Sequence, residues 1–134
     1  MNKDIGAVLK FIRVKAGFSH RQMAIRANMS PGTIQKFEAG TTKLSPGYLH
    51  IIREYASERD MQLVKNLLIN QLLSRYYFDP QAVVDVERVK TFVKVIELKN
   101  SGLKQNQIAR RLKLKEHQVQ YIIDKFTEYK AGVL

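Results

Sequence analysis

A chain of 134 residues, 45% of them hydrophobic, holds enough apolar material for one compact domain or two small ones, which excludes general disorder. It contains no Cys, so disulfides, thiolate metal sites and thiol nucleophiles are excluded, and it lacks the run of about 18 apolar residues that spans a membrane. Its 23 basic and 12 acidic residues give a net charge of +11 and a pI near 10.0, which favours a polyanionic partner.

The charge is unevenly placed. Residues 1–57 carry +6, residues 58–87 carry −2 and residues 88–134 carry +7, so two basic lobes flank an apolar middle. In the first lobe Ile5, Val8, Leu9 and Ile12 recur at helical spacing, and Gly17 closes that helix. Ser19 with Gln22 three residues on is a capping-box signature for a short helix through Met23, Ala24 and Ala27. Ser30-Pro31 places an N-cap before a proline at the first helical position, opening a helix that carries Ile34 and Phe37 inward and stops at Gly40. Ser45-Pro46 repeats that start for a helix through Leu49, Ile52 and Ala56. A longer helix is expected from about Ser57 to Tyr77, with Ser57 and Asp60 as its cap pair. Its apolar face is too wide for a single neighbour. Asp79-Pro80 starts another helix, whose Val86, Val89, Phe92, Val93 and Ile96 run towards Gly102. Two more are expected through Ile108, Ala109 and Leu112 and through Val119, Ile122, Ile123 and Phe126, before a frayed tail from Lys130. No alternating strand pattern, low-complexity tract or long internal repeat is legible. The expected fold is all-α, divided into residues 1–57, a connecting helix at 58–80 and a C-terminal domain at 81–134.

Residues 18–40 read Phe-Ser-His-Arg-Gln-Met-Ala-Ile-Arg-Ala-Asn-Met-Ser-Pro-Gly-Thr-Ile-Gln-Lys-Phe-Glu-Ala-Gly. This resembles the Cro/CI-type helix-turn-helix family, also called the xenobiotic-response-element family, over residues 4–56. The framework positions are Met23, Ala24, Met29, Ile34, Glu38 and Gly40. Two positions depart from the family: Asn28 stands where the tight turn usually has Gly, and His20 where the first motif helix usually has Gln. Asn tolerates the left-handed conformation better than most non-glycine residues. A short helix capped by Ser30 presents its first turns to the major groove, so Pro31, Gly32, Thr33, Gln35 and Lys36 are the expected groove-facing residues. The resemblance implies a phosphate contact at His20. It also implies backbone contacts from the loop after Gly40, where Thr41, Thr42 and Lys43 stand.

Residues 102–123 carry Ile108-Ala109, Leu112, Leu114 and Val119 at a spacing that resembles a trihelical, homeodomain-like or sigma-like helix-turn-helix over about residues 88–127. Lys113 takes the turn position and Lys115 the N-cap position. The exposed candidates are Lys115, Glu116, His117, Gln118, Gln120 and Tyr121, with Arg110 and Arg111 set for phosphates. Gln118 or Gln120 suits adenine and Glu116 suits cytosine.

Proteins of the Cro/CI type usually act as dimers, so the middle helix is expected both to pack within its own chain and to offer a homodimer or higher-oligomer surface, through Met61, Val64, Leu68, Leu72 and Tyr76; the alternative is packing within the chain alone. Catalysis is not expected. The acids are scattered, His20, His50 and His117 stand apart, and no phosphate-cradling glycine loop occurs. Neither a metal, a cofactor nor a small-molecule ligand is implied, and the apolar N-terminal positions are too interrupted by Lys10, Arg13 and Lys15 for a secretory signal. The expected function is a cytoplasmic, sequence-specific regulator that binds double-stranded DNA, of bacterial, phage or plasmid type and most simply a repressor. The alternative is a DNA-binding accessory protein (an antitoxin, partition or replication factor) working through a protein partner.

Overall fold

The computed structural model describes residues 2–72 and 80–130. Eight α-helices and no strand occur among them: α1 (Asn2–Lys15), α2 (His20–Ala27), α3 (Pro31–Ala39), α4 (Pro46–Ile52), α5 (Glu58–Leu72), α6 (Pro80–Asn100), α7 (Gln105–Leu112) and α8 (Glu116–Lys130). The all-α expectation holds. Tyr76 and the expected end of the middle helix at Tyr77 lie outside the described residues, as do the side chain of Leu72 and the tail from Ala131.

The chain divides into two compact units, Met1–Lys90 and Thr91–Leu134. In the first, α1 is the centre. Its Ile5, Val8, Leu9, Phe11 and Ile12 are all buried, and the helix packs against α3, α4 and α5. Gly6 makes the contact with α3 close. A Cβ there would lie 2.8 Å from the Phe37 carbonyl oxygen and closer still to that of Glu38, so only glycine lets the two helices meet at this distance.

The helix starts read from the sequence are present as hydrogen bonds. Ser19 Oγ accepts from the Gln22 N–H at 3.1 Å while Gln22 Oε1 accepts from the Ser19 N–H at 2.9 Å, a complete capping box. Ser30 and Ser45 accept from Thr33 and Tyr48 N–H groups at 3.2 and 3.1 Å. Ser57 Oγ accepts from the Asp60 N–H at 3.1 Å. The Asp60 carboxylate also pairs with Lys15, both side chains being buried, so α5 is tied to α1 from its first turn. The fourth helix is shorter than its apolar spacing suggested, ending at Ile52 rather than continuing through Ala56.

The second unit is built on Val95 of α6, Ile108 and Ala109 of α7 and Val119 of α8, with Leu98, Leu103, Leu112, Leu114, Ile122 and Ile123 packed around them. Phe92 and Phe126 meet edge to face at 6.4 Å in the same unit. Ala109 is 4% exposed.

A repeat invisible in the sequence appears in the backbone. At one constant register Gly17 corresponds to Gly102, Gln22 to Gln107, Ala24 to Ala109, Asn28 to Lys113 and Ile34 to Val119. The turn hydrogen bonds coincide at this register: Met29 N–H to Ala24 O at 3.0 Å and Leu114 N–H to Ala109 O at 2.9 Å, Phe18 N–H to Arg13 O at 3.1 Å and Leu103 N–H to Leu98 O at 3.2 Å. Asn28 and Lys113, with φ of 54° and 57°, are the two non-glycine left-handed residues among those described. Gly17/Gly102, Gln22/Gln107 and Ala24/Ala109 are identical pairs, but most other positions at this register differ, so the sequence does not display the repeat.

Candidate nucleic-acid interface

The first candidate surface is the outer face of α3. Ser30 caps it, Pro31 occupies its first turn, and Ile34 and Phe37 turn inward, the latter stacked on Tyr48 at 5.0 Å. This inward anchoring leaves Pro31, Gly32, Gln35 and Lys36 exposed. Thr33 is half-buried and its hydroxyl lies 2.8 Å from Ser30 Oγ, so it reinforces the cap and turns less of its surface outward than its exposed neighbours. Gly32 faces open space, and a Cβ there would meet nothing within 4 Å. Beyond α3, Gly40 adopts φ of 73° and Thr41 folds back on the Lys36 carbonyl, through its N–H at 3.1 Å and its hydroxyl at 3.4 Å, while Thr42 and Lys43 remain exposed.

A buried charge network fixes α3 against the rest of the unit. Arg13 Nε and Nη2 donate to the two Glu38 carboxylate oxygens at 2.7 and 3.0 Å, and Nη1 donates to the Phe18 carbonyl at 2.8 Å. This bidentate pair supplies the geometry that makes a desolvated ion pair tenable. His20 Nε2 lies 2.9 Å from Glu38 Oε1. A carboxylate only accepts, so that nitrogen carries the hydrogen. His20, at the start of α2, is thereby held by Glu38 and stays one-third exposed. Sequence reasoning placed Glu38 in the framework but did not find Arg13 as its partner, since nothing local links positions so far apart. Burial pushes the Tyr48 phenol above its ordinary range, with the Glu38 charge adding and Arg13 opposing.

Residues 4–56 match a family model described as a helix-turn-helix domain. The first unit carries a helix-turn-helix domain. The match agrees with the Cro/CI-type resemblance and supports DNA as the partner. No curated protein and no solved structure matches the chain. Within the helix-turn-helix domain, α2 and α3 are the paired helices, and Asn28 makes the turn in the left-handed conformation that glycine usually supplies. Arg21, Ile25 and Arg26, not singled out from the sequence, are exposed on α2. The Arg26 guanidinium lies 4.0 Å from the Phe18 ring, and Ile25 is 74% exposed.

The second candidate surface is on α7 and α8. Arg110, Arg111, Lys115, Glu116, His117, Gln118, Gln120 and Tyr121 are all exposed. Lys104 and Lys115 precede the two helices, and an ammonium cannot accept a hydrogen bond, so neither caps with its side chain. Instead Gln107 Oε1 accepts from the Lys104 N–H at 2.8 Å and Gln118 Oε1 from the Lys115 N–H at 2.9 Å. Gln118, expected to be a base reader, therefore has its amide oxygen turned back to the helix start. Gln105 Nε2 donates to the Glu116 carbonyl at 2.9 Å, tying α7 to α8. Tyr121 is 63% exposed, with the Lys125 ammonium 5.7 Å from its ring.

On α5, Met61 and Leu68 are half-buried, whereas Val64 is 1% exposed. Val64 is therefore buried within the chain and is not on a face open to a second copy. Among the described residues no helix is long and apolar enough to cross a membrane.

Proposed function

We propose that the protein is a sequence-specific transcriptional regulator that binds double-stranded DNA and represses by occupying a promoter. It is of bacterial, phage or plasmid type and acts in the cytosol without catalysis. The observation that carries the reading is the helix-turn-helix domain at residues 4–56, whose α3 offers Gln35 and Lys36 from a firmly anchored helix. Lys36 suits guanine and Gln35 adenine, with Thr42 and Lys43 directed to phosphates, while the Nε2–H of His20 is given to Glu38. Pro31 and Gly32 contribute shape without hydrogen-bonding side chains.

The second unit is a second DNA-binding helix-turn-helix in this reading. Support comes from the shared turn hydrogen bonds, the shared left-handed residue and the basic pair Arg110-Arg111. Two reading units in one chain raise affinity through effective concentration, and self-association through Met61 and Leu68 of α5 would multiply it again.

Selection from randomised duplex DNA by the full chain, at about 150 mM salt, tests the proposal. A recurring motif supports a specific regulator, and a spaced pair of motifs supports two reading units. A pool without enrichment, combined with affinity that collapses with added salt, overturns it in favour of non-specific binding.

A further inference from the structure

We infer that Gln120, held by Asp124, is the base-reading residue of the second unit and that the base it reads is adenine. The inference rests on the proposed DNA-binding role of that unit. Gln120 Nε2 lies 2.7 Å from Asp124 Oδ1, one helical turn further along α8, and both side chains are exposed. A carboxylate has no hydrogen to donate, so the amide nitrogen, not the oxygen, must face it. The chemistry of the pair thus fixes which way round the amide stands.

That orientation matters for readout. After one N–H is given to Asp124, Gln120 retains a second N–H and its carbonyl oxygen. Adenine in the major groove requires one donor to N7 and one acceptor for the N6 amino group. The remaining groups of Gln120 are that pair. Asp124 removes the flipped amide and part of the rotamer freedom before DNA arrives, which reduces the ordering penalty on binding. Its negative charge also repels phosphates, so it weakens binding to arbitrary sequence while sharpening readout.

The neighbouring glutamine is differently occupied, since the Gln118 oxygen accepts the Lys115 N–H at 2.9 Å. At the common register Gln120 corresponds to Gln35 of α3, so the two units place the same side chain at the same helical position. In α3 the residue one turn on is Ala39, so no carboxylate orients Gln35 in this way. The second unit is therefore the stricter reader at this position, with Asp124 as a positioning residue.

The test uses the full chain and a duplex taken from the selection, with each candidate adenine replaced in turn by 7-deazaadenine, which lacks the N7 acceptor. One replacement should weaken wild-type binding roughly tenfold or more and have no effect on Gln120→Ala. Asp124→Ala should lower the preference for adenine at that position several-fold while raising affinity for random duplex of equal length. A helical circular dichroism spectrum like that of the wild type establishes that these exposed substitutions leave the fold intact. If Gln120→Ala retains the wild-type base preference and deaza sensitivity while Arg110→Ala/Arg111→Ala weakens binding, the inference fails and the second DNA-binding unit stands. If Arg110→Ala/Arg111→Ala leaves affinity unchanged, the proposed role of that unit fails as well. Higher random-duplex affinity for Asp124→Ala without lost discrimination would overturn the positioning role.

Discussion

Replacing Gly6 and Gly32 with alanine should change stability in opposite directions, although both glycines lie in helices. In an open helix interior, alanine is favoured over glycine by about 0.8–1.0 kcal/mol. At Gly32 nothing lies within 4 Å of the added Cβ, and this near-terminal position should gain about 0.5 kcal/mol, part of that preference. At Gly6 the new Cβ would meet the carbonyl carbon of Glu38 at 2.7 Å and the carbonyl oxygen of Phe37 at 2.8 Å. These are backbone atoms of α3 and cannot rotate away. Relieving the clash separates α1 from α3 and disturbs the packing between them, an overpacking penalty of about 1–3 kcal/mol that exceeds the propensity gain. The net expectation for Gly6→Ala is a loss of about 1 kcal/mol, from the middle of that penalty less the propensity gain. Urea unfolding of the full chain measures the change, and hydrogen exchange at the Ile34 and Phe37 amides locates it. The displaced segment is the last turn of α3, so specific DNA binding should weaken as well. A Gly6→Ala protein as stable as wild type, or Gly32→Ala as damaging as Gly6→Ala, would refute the close-approach argument.

Glu38→Ala should destabilise the first unit by about 3–5 kcal/mol, because it leaves the Arg13 guanidinium buried without its carboxylate; thermal unfolding reads this. The Tyr48 hydroxyl is buried and meets no hydrogen-bond partner among the described residues, so Tyr48→Phe should stabilise by about 1 kcal/mol in the same assay. Folding raises the Tyr48 pKa, so the unfolded chain releases that proton first as pH rises. The wild type should therefore lose stability progressively above the ordinary phenol value of 10.0, and Tyr48→Phe should lack this component. Lys36→Ala should weaken binding to the selected site more than to random duplex in a titration of each; equal loss would assign Lys36 to phosphate alone. Met61→Asp with Leu68→Asp should shift sedimentation towards a single copy while the helical signal is retained, and an unchanged sedimentation profile would remove α5 from the oligomer surface.

Much of the helical order was legible because it is local. Ser19 with Gln22, Ser30 before Pro31, Ser45 before Pro46 and Ser57 with Asp60 act over three residues or fewer, so the sequence displays both partners together. The apolar period of α1 and the basic lobes were equally open to reading, and with the Glu38–Gly40 framework they located the helix-turn-helix domain. Only the tertiary structure paired Arg13 with Glu38, brought Gly6 onto the carbonyls of α3 and buried Val64. It also separated Gln118 from Gln120: one amide turns to the backbone N–H of Lys115, the other to the carboxylate of Asp124. Helix starts follow from short-range hydrogen bonding along the chain. Burial, long-range ion pairs and competition among side-chain hydrogen-bond partners depend on which surfaces folding brings together, and on which contact satisfies each polar group best.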